Sequence, residues 1–407
     1  MLNDVKIKKE LYMETPKRGT ALYVRPIYTG TGLTRMEEST TEEASDVYLN
    51  KKKRYSHDNG RTWSEWVVSE ESNYKSGDLN VFVFELARTF DRSAGHMVRT
   101  VMYETLLYDP KDSGVSIDGK DCFEHTFYQI SNDDGITWSD ICQIQYEDGP
   151  LLSRDKMHDV SNLYQNRMCG GYNILPLKDG SLLCSGMGIP VLLEGEMVSG
   201  VIFFKGRWNH DKKIYDWERS APIAVPKQIS SRGLLEPFLA QLDDGRVIVE
   251  MRGSSTDKTP GRKWLSISED SGLNWSKVTD LKYDTGEQFY APSSLAMLLR
   301  AKKTGSLYWI GNISRKPPKG NMPRYPLYIA KVDESQPALI KDSLCVIDDY
   351  DPQKDTPILC LSNFYILEDR ETLDIELYMN RIGEKGDGKT FKDDFWTADV
   401  YRYIISL

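Results

Sequence analysis

Short apolar runs separated by turn residues recur along the whole chain. No segment of useful length carries the 3.6-residue period of an amphipathic helix. Ala21 to Tyr28 reads as an apolar strand. The polar, acidic stretch from Thr34 to Asp46 is expected to be a loop, and a Lys/Arg-rich strand follows it. Val81 to Leu86 and Met97 to Tyr103 read as two further strands. Asp109 to Asp121 is a long Gly/Asp/Ser connection, of the kind that decorates a binding face. Gly170 to Leu175 leads into a turn at Lys178-Asp179-Gly180, and Leu242-Asp243-Asp244-Gly245-Arg246 is another strand–turn–strand phrase. Ser293 to Leu295, Trp309, Leu327 to Asp333, Cys360 to Tyr378 and Trp396 to Ile405 continue the same rhythm.

Three of the turns share a phrase, S-x-D-x-G-x-[TN]-W. It reads Ser56-His57-Asp58-Asn59-Gly60-Arg61-Thr62-Trp63, Ser131-Asn132-Asp133-Asp134-Gly135-Ile136-Thr137-Trp138 and Ser268-Glu269-Asp270-Ser271-Gly272-Leu273-Asn274-Trp275. The Asp carboxylate can accept backbone N–H groups and close a tight turn. The Gly two places on tolerates positive φ, and the Trp supplies an apolar plate for a neighbouring sheet. Asn209-His210-Asp211 to Trp217 is a degenerate copy, one residue too long between Asp and Trp. Asp58, Asp133, Asp211, Asp270 and Asp333 are separated by 75, 78, 59 and 63 residues. Each step is about one four-stranded blade if strands run ~5–6 residues with short turns. A sixth unit takes Cys360 to Tyr378 with the tail from Trp396 to Ile405, closed by an N-terminal strand.

The repeated phrase resembles that of the Asp-box proteins, whose best-known members are the sialidases. The resemblance implies an all-β, six-bladed β-propeller of sialidase type, with the boxes on the side away from the active site. Residues 1–407 are then one propeller domain, with 1–20 as an N-terminal arm or outer strand. Asp boxes identify a fold better than an activity, so function rests on other residues.

The chain of 407 residues holds 9 Trp and 23 Tyr, enough aromatic surface to fill layers between blades. No apolar run approaches the ~20 residues needed to span a membrane. A net charge of −9 argues against nucleic acid and anionic membranes as partners. The six Cys (122, 142, 169, 184, 345, 360) form no C-x-x-C pair and no His-Cys group at zinc-ligand spacing, so free thiols are expected, with no metal and no cofactor. The start, Met1-Leu2-Asn3-Asp4-Val5-Lys6, lacks a secretory apolar segment. The expected location is the cytoplasm, or outside the cell if a signal has been removed.

Candidate chemistry gathers where Arg and carboxylates meet strand ends. Glu236-Pro237-Phe238-Leu239-Ala240-Gln241-Leu242-Asp243-Asp244-Gly245-Arg246, continuing to Met251-Arg252, resembles a sialidase phrase placed before an Asp box. There the Glu polarises the nucleophile and the Arg is one of three that clamp the substrate carboxylate, which gives these roles to Glu236 and Arg252. Arg25, in Tyr23-Val24-Arg25-Pro26, resembles the first clamp Arg, although the family has a residue between Arg and Pro. Arg324, before Leu327-Tyr328-Ile329-Ala330, resembles the third, and Arg315 competes for that role. A guanidinium suits the task because it pairs bidentately with a carboxylate and stays charged. Asp46 is the acid/base candidate by its place between the first Arg and the first box, with Glu37, Glu38, Glu42 and Glu43 as alternatives.

Sialidases use a Tyr nucleophile near the C-terminus, and the matching stretch here is Leu361-Ser362-Asn363-Phe364-Tyr365. Leu361 stands where that Tyr is expected; Tyr365, four residues on, and Tyr290 are the substitutes. Three functions follow. One is a sialidase-like hydrolase releasing a terminal acidic sugar from a glycan. Another is an exo-glycosidase of the same fold, as in exo-arabinanases, and the third is a propeller that binds glycans without cleaving them.

Overall fold

The computed structural model describes residues 5–43, 48–69, 73–107 and 122–407. Six antiparallel sheets of four or five strands succeed one another along the chain and form the blades of a β-propeller. Blade 1 consists of Ala21–Tyr28, Arg35–Glu42, Tyr48–Ser56 and Val67–Val68, in spatial order. Blade 2 is built on Leu79–Asp91, His96–Leu106, Cys122–Ser131 and Cys142–Gln143, with Asn73–Ser76 added beside the first. Blade 3 has a broken first strand, Cys169–Gly170 and Leu175–Pro176, before Leu182–Leu193, Glu196–Asn209 and Ile214–Arg219. Blade 4 is Leu235–Gln241, Val247–Arg252, Lys263–Ser268 and Thr279–Asp280. Blade 5 runs from Met297–Arg300 through Leu307–Asn312 and Leu327–Asp333 to two short outer strands.

Blade 6 joins the two ends of the chain. Tyr365–Glu368, Ile375–Asn380 and Val400–Ser406 are completed by Lys6–Met13, which pairs antiparallel with the last strand from Lys6↔Ser406 onward. The arm expected at residues 1–20 is therefore an edge strand over half of its described length. It satisfies backbone groups that an open sheet edge would leave bare.

The repeated phrases sit at the turn between the third and fourth strands. In each, the Ser hydroxyl donates to the Asp carboxylate and accepts the Gly N–H, while the Asp accepts the N–H and the side chain of the residue four places on. Gly135 shows why the glycine is needed: φ is +80°, and a Cβ there would stand 2.6 Å from the Thr29 carbonyl oxygen. Trp275 stacks at 4.0 Å between centroids on Phe203 of the preceding blade, so the plate bridges blades. The degenerate copy in blade 3 occupies the same turn, but there the Asn209 side chain accepts the N–H groups of Asp211 and Lys212. The extra residue is taken up by Lys213 at φ +56°.

The expected loop from Thr34 to Asp46 is corrected by the structure: Arg35–Glu42 is the second strand of blade 1. Its charges are buried because each has a partner. Arg35 reaches Asp369 (2.7 Å) and Glu376 (3.1 Å) of blade 6, Glu37 pairs with Arg54 (2.6 Å), and Glu42 accepts the Tyr23 hydroxyl. Such groups are tolerated inside a sheet when paired and hydrogen-bonded. The expected connection from Asp109 to Asp121 lies outside the described residues. All six cysteines are free. Among the described residues no helix is long and apolar enough to cross a membrane.

Candidate functional site

Register divides each blade into two ends. In blade 4, Arg252 pairs with Lys263 while Val247 pairs with Ser268, the first residue of the repeated turn. Five residues at ~3.4 Å each set Arg252 and that turn about 17 Å apart along the sheet. The rim that carries Arg252 also carries the start of each blade's first strand and the longer connections, including 253–262, 313–326 and 381–399. The opposite rim carries the tight turns.

Glu236 starts the first strand of blade 4 at a backbone irregularity. The pairing slips between Leu235 and Phe238, and Glu236 takes φ +48°, a conformation uncommon for a residue with a Cβ. Bulges of this kind re-aim a side chain. Here the carboxyl turns toward Arg252, whose Nη1 donates to Oε1 at 2.5 Å. The second oxygen, Oε2, is buried and has no hydrogen-bond partner among the described residues. The backbone N–H of Glu236 points at Met187 Sδ, 3.0 Å away. Gly253 follows Arg252 because a Cβ there would fall 2.1 Å from Trp264 Nε1.

Arg252 and Arg324 are brought together on shared partners. Arg252 donates from Nε to Ser293 Oγ (2.6 Å) and from Nη2 to Asn321 Oδ1 (3.2 Å). Arg324 donates from Nη2 to the Ser293 carbonyl (3.1 Å), from Nε to the Asn321 carbonyl (3.1 Å) and from Nη1 to Ser362 Oγ (3.0 Å). Ser293 is held in turn by Ser254 Oγ at 2.9 Å. The next carbonyl, that of Ser294, accepts the buried Lys263 ammonium. Lys263 lies 3.6 Å from Glu250, whose two oxygens are buried without hydrogen bonds. Burial pushes Glu250 above the usual carboxylate range against the pull of Lys263, and pushes Lys263 down against that of Glu250.

The other expected site residues are not part of this junction. Arg25 donates to the backbone carbonyls of Glu85 and Leu86 in blade 2, and its guanidinium lies 5.9 Å from the Tyr365 ring centroid. Tyr365 opens the first strand of blade 6, where burial raises its phenol, Arg25 lowers it, and Glu38 and Glu42 raise it again. Leu361 is fully buried and its N–H donates to the Arg324 carbonyl. Tyr290 lies under Arg262, and Arg315 is ion-paired to Asp349 on the surface. Asp46 lies outside the described residues; Glu42 and Tyr48 flank that gap on this rim. Of its alternatives, Glu43 is paired to Lys17 at 2.7 Å, and Glu38 lies 3.8 Å from Lys51.

The whole chain also bears comparison with solved structures. A protein of unknown function from Dyadobacter fermentans superposes with a TM-score of 0.62 at 12% identity, over 100% of both chains. The NanB sialidase of Streptococcus pneumoniae gives 0.56 at 13% identity, covering 97% of this chain and 70% of that one. Trypanosoma rangeli sialidase gives 0.56 at 10% identity, over 99% of this chain and 60% of that one. The fold is a propeller like that of sialidases. No protein-family model matches the chain, and no curated protein matches it in sequence.

Four site residues escape sequence reasoning: Ser293, Asn321, Ser362 and Tyr172. The serines and Asn321 are short polar residues in irregular segments, with no spacing rule to mark them. Tyr172 follows Gly170-Gly171 in the broken first strand of blade 3. Burial raises its phenol strongly, and it lies in the fields of Cys169, Glu236 and Arg252. A Gly-Gly-Tyr phrase at a strand start was its one visible signal. Among the described residues no group of three or more His, Cys, Asp or Glu is placed to hold a metal.

Proposed function

We propose that the protein is a sialidase-like glycoside hydrolase that releases a terminal acidic sugar from a glycan. The observation that carries this reading is the junction of Arg252, Arg324 and Glu236 around Ser293, with Glu236 Oε2 left without a hydrogen-bond partner among the described residues. Each terminal guanidinium nitrogen carries two N–H groups, and in both Arg252 and Arg324 each of these nitrogens makes one hydrogen bond within the protein. The remainder suit a sugar carboxylate, which a paired guanidinium recognises bidentately. Asn321, exposed and bonded to both arginines, is placed to be displaced by that carboxylate. Arg25 would complete the clamp by leaving its carbonyl partners.

Glu236 then has the position to polarise a nucleophile through Oε2. Tyr365 remains the substitute tyrosine offered by the sequence resemblance, and Tyr172 is a second buried tyrosine, which lies in the field of Glu236. Neither phenol ionises readily in its buried setting, so proton removal needs a base, the role assigned to Glu236. Asp46 is the candidate acid for the leaving oxygen. Glu236→Gln is expected to abolish release of product from an aryl sialoside while retaining binding of the free acid sugar. Wild-type turnover in that variant would refute the role. Parallel Tyr172→Phe and Tyr365→Phe variants identify the nucleophile by which one loses turnover.

A second reading is a glycan-binding propeller without turnover, favoured by the fully buried Leu361 where a family nucleophile is expected. Binding of an acidic sugar by calorimetry, with no product from a panel of aryl glycosides, would select it. Equal affinity for the sugar acid and its methyl ester would remove the clamp from both readings.

A further inference from the structure

Blade 4 turns three charged residues toward blade 5 from one face. Arg252 lies directly opposite Lys263 in the sheet, and Glu250, two residues before Arg252, points the same way. They meet the segment Ala291-Pro292-Ser293-Ser294, which leads into the first strand of blade 5 at Met297. Ser293 and Ser294 are fully buried. Ser293 is bonded on every side. Its N–H donates to the Gly320 carbonyl at 2.9 Å, its hydroxyl accepts Arg252 Nε at 2.6 Å, and its carbonyl accepts Arg324 Nη2 at 3.1 Å. The two guanidinia are thus oriented on the side chain and the main chain of a single residue, and whatever fixes that residue fixes both.

The neighbouring Ser294 is held from blade 4 by one charged donor. Its carbonyl accepts the Lys263 ammonium, and among the described residues its hydroxyl has no partner. The tether is costly. Lys263 is 0% exposed and Glu250 1%, they stand 3.6 Å apart, and neither Glu250 oxygen has a hydrogen bond. That separation is beyond ordinary hydrogen-bond length. An ion pair bonded so sparsely does not offset the desolvation of two charges, and apolar side chains of like volume would serve the fold as well. What apolar side chains cannot supply is a charge-assisted bond to the Ser294 carbonyl, which is stronger than a bond between neutral groups.

We propose that Lys263 is a positioning residue for the acid-binding site, with Glu250 as its counter-ion. By holding the Ser294 carbonyl it sets Ser293, and through Ser293 it sets the planes of Arg252 and Arg324 toward an acidic sugar. Bidentate recognition depends on those planes, so a small shift of the serine segment is felt at both arginines. The inference rests on the reading of the two arginines as a carboxylate clamp. Lys263 itself touches no ligand.

The test is calorimetric titration of the full chain with sialic acid and with its methyl ester, read as the ratio of the two affinities. Lys263→Met combined with Glu250→Gln removes the tether without leaving a lone buried charge. It should lower the ratio at least fivefold while Tm changes little. Asp270→Ala, which loosens a turn on the other rim, should lower Tm and leave the ratio unchanged. Ser293→Ala should also lower the ratio. Added to the double variant, it should lower it by less than the product of the separate effects, because both act on one residue. Should Lys263→Met with Glu250→Gln fail to fold, Lys263→Gln with Glu250→Gln carries the comparison, its amide being one atom shorter than the ammonium. A wild-type protein that binds the acid no better than the ester overturns the clamp reading, and this inference with it. A wild-type ratio retained in the variant without the tether, or lost equally in Asp270→Ala, overturns the positioning role alone.

Discussion

Blade 4 places carboxylates at both of its ends, and the two ends treat them in opposite ways. Asp270, in the tight turn, is exposed and saturated: Ser268, the Asn274 N–H and the Asn274 amide all donate to it. Burial by itself would raise its carboxyl, and those donors outweigh it, so the group sits low. At the other end Glu250 is buried, Glu236 is half-buried, and neither is fully satisfied. Three acceptor oxygens between them lack a hydrogen bond, and Glu250 is shifted upward by burial. A satisfied exposed carboxylate holds a turn; a buried one with an open oxygen costs stability unless a ligand or a proton completes it. That contrast separates the residues that build the propeller from those available to do chemistry on it.

The largest effect should come from breaking the buried pair. Lys263→Met leaves Glu250 without its cation and is expected to cost about 3–5 kcal/mol near neutral pH. Because Glu250 is favoured as the neutral acid in the fold, its penalty is absent below the unfolded value of ~4.3. It grows as pH rises above that value. Urea denaturation should therefore show a smaller loss at pH 5 than at pH 8. Adding Glu250→Gln should recover most of the loss, since an ion pair replaced at both positions is often tolerated. A double variant as unstable as the single one would show that the two residues act separately.

A middle-sized contrast lies in the sign of carboxylate removal at the two ends. Glu236→Gln keeps an oxygen for Arg252 and removes a buried charge held at φ +48°. Its Tm should match or exceed that of the wild type, because the substitution relieves a charge on a strained residue. Asp58→Ala, Asp133→Ala and Asp270→Ala should each lower Tm, because the turn N–H groups they hold lose their acceptor. Differential scanning calorimetry on the four variants decides the matter. A fall in Tm for Glu236→Gln as large as for Asp270→Ala would erase the distinction between the ends.

What was legible in the sequence follows the same division. The turns could be read because all their partners lie within four residues, so Ser, Asp, Gly and Trp carry the geometry in their spacing. That Glu236 and Arg252 lie side by side could be read because one hairpin joins them. The strand Arg35–Glu42 was misread as a loop because its buried charges are neutralised from far away. Arg35 meets Glu376, 341 residues along the chain, and no local pattern announces such a pairing. Ser293, Asn321 and Ser362 escaped for the same reason. They matter only because three separate connections bring them to two arginines, and each alone is an ordinary polar loop residue.

The smallest prediction concerns acid titration of the second turn. Asp133 accepts the Thr137 hydroxyl at 2.6 Å, the Thr137 N–H at 2.9 Å and the Ser131 hydroxyl at 2.7 Å, which together hold its carboxyl at about 2. An unfolded Asp titrates near ~3.9. The fold therefore prefers the ionised form, and its contribution is fully present above the unfolded value. It is lost as pH falls through about 2. Asp133→Asn keeps one acceptor and cannot titrate, so the Tm gap between wild type and variant should be constant above about pH 5, narrow below pH ~4 and close toward pH ~2. The same experiment on a Glu250→Gln background should leave that acid-side closure unchanged, because Glu250 is neutral there in folded and unfolded chains alike. A gap that stayed constant down to pH ~2 would mean that Asp133 holds its turn by shape, with its charge contributing nothing.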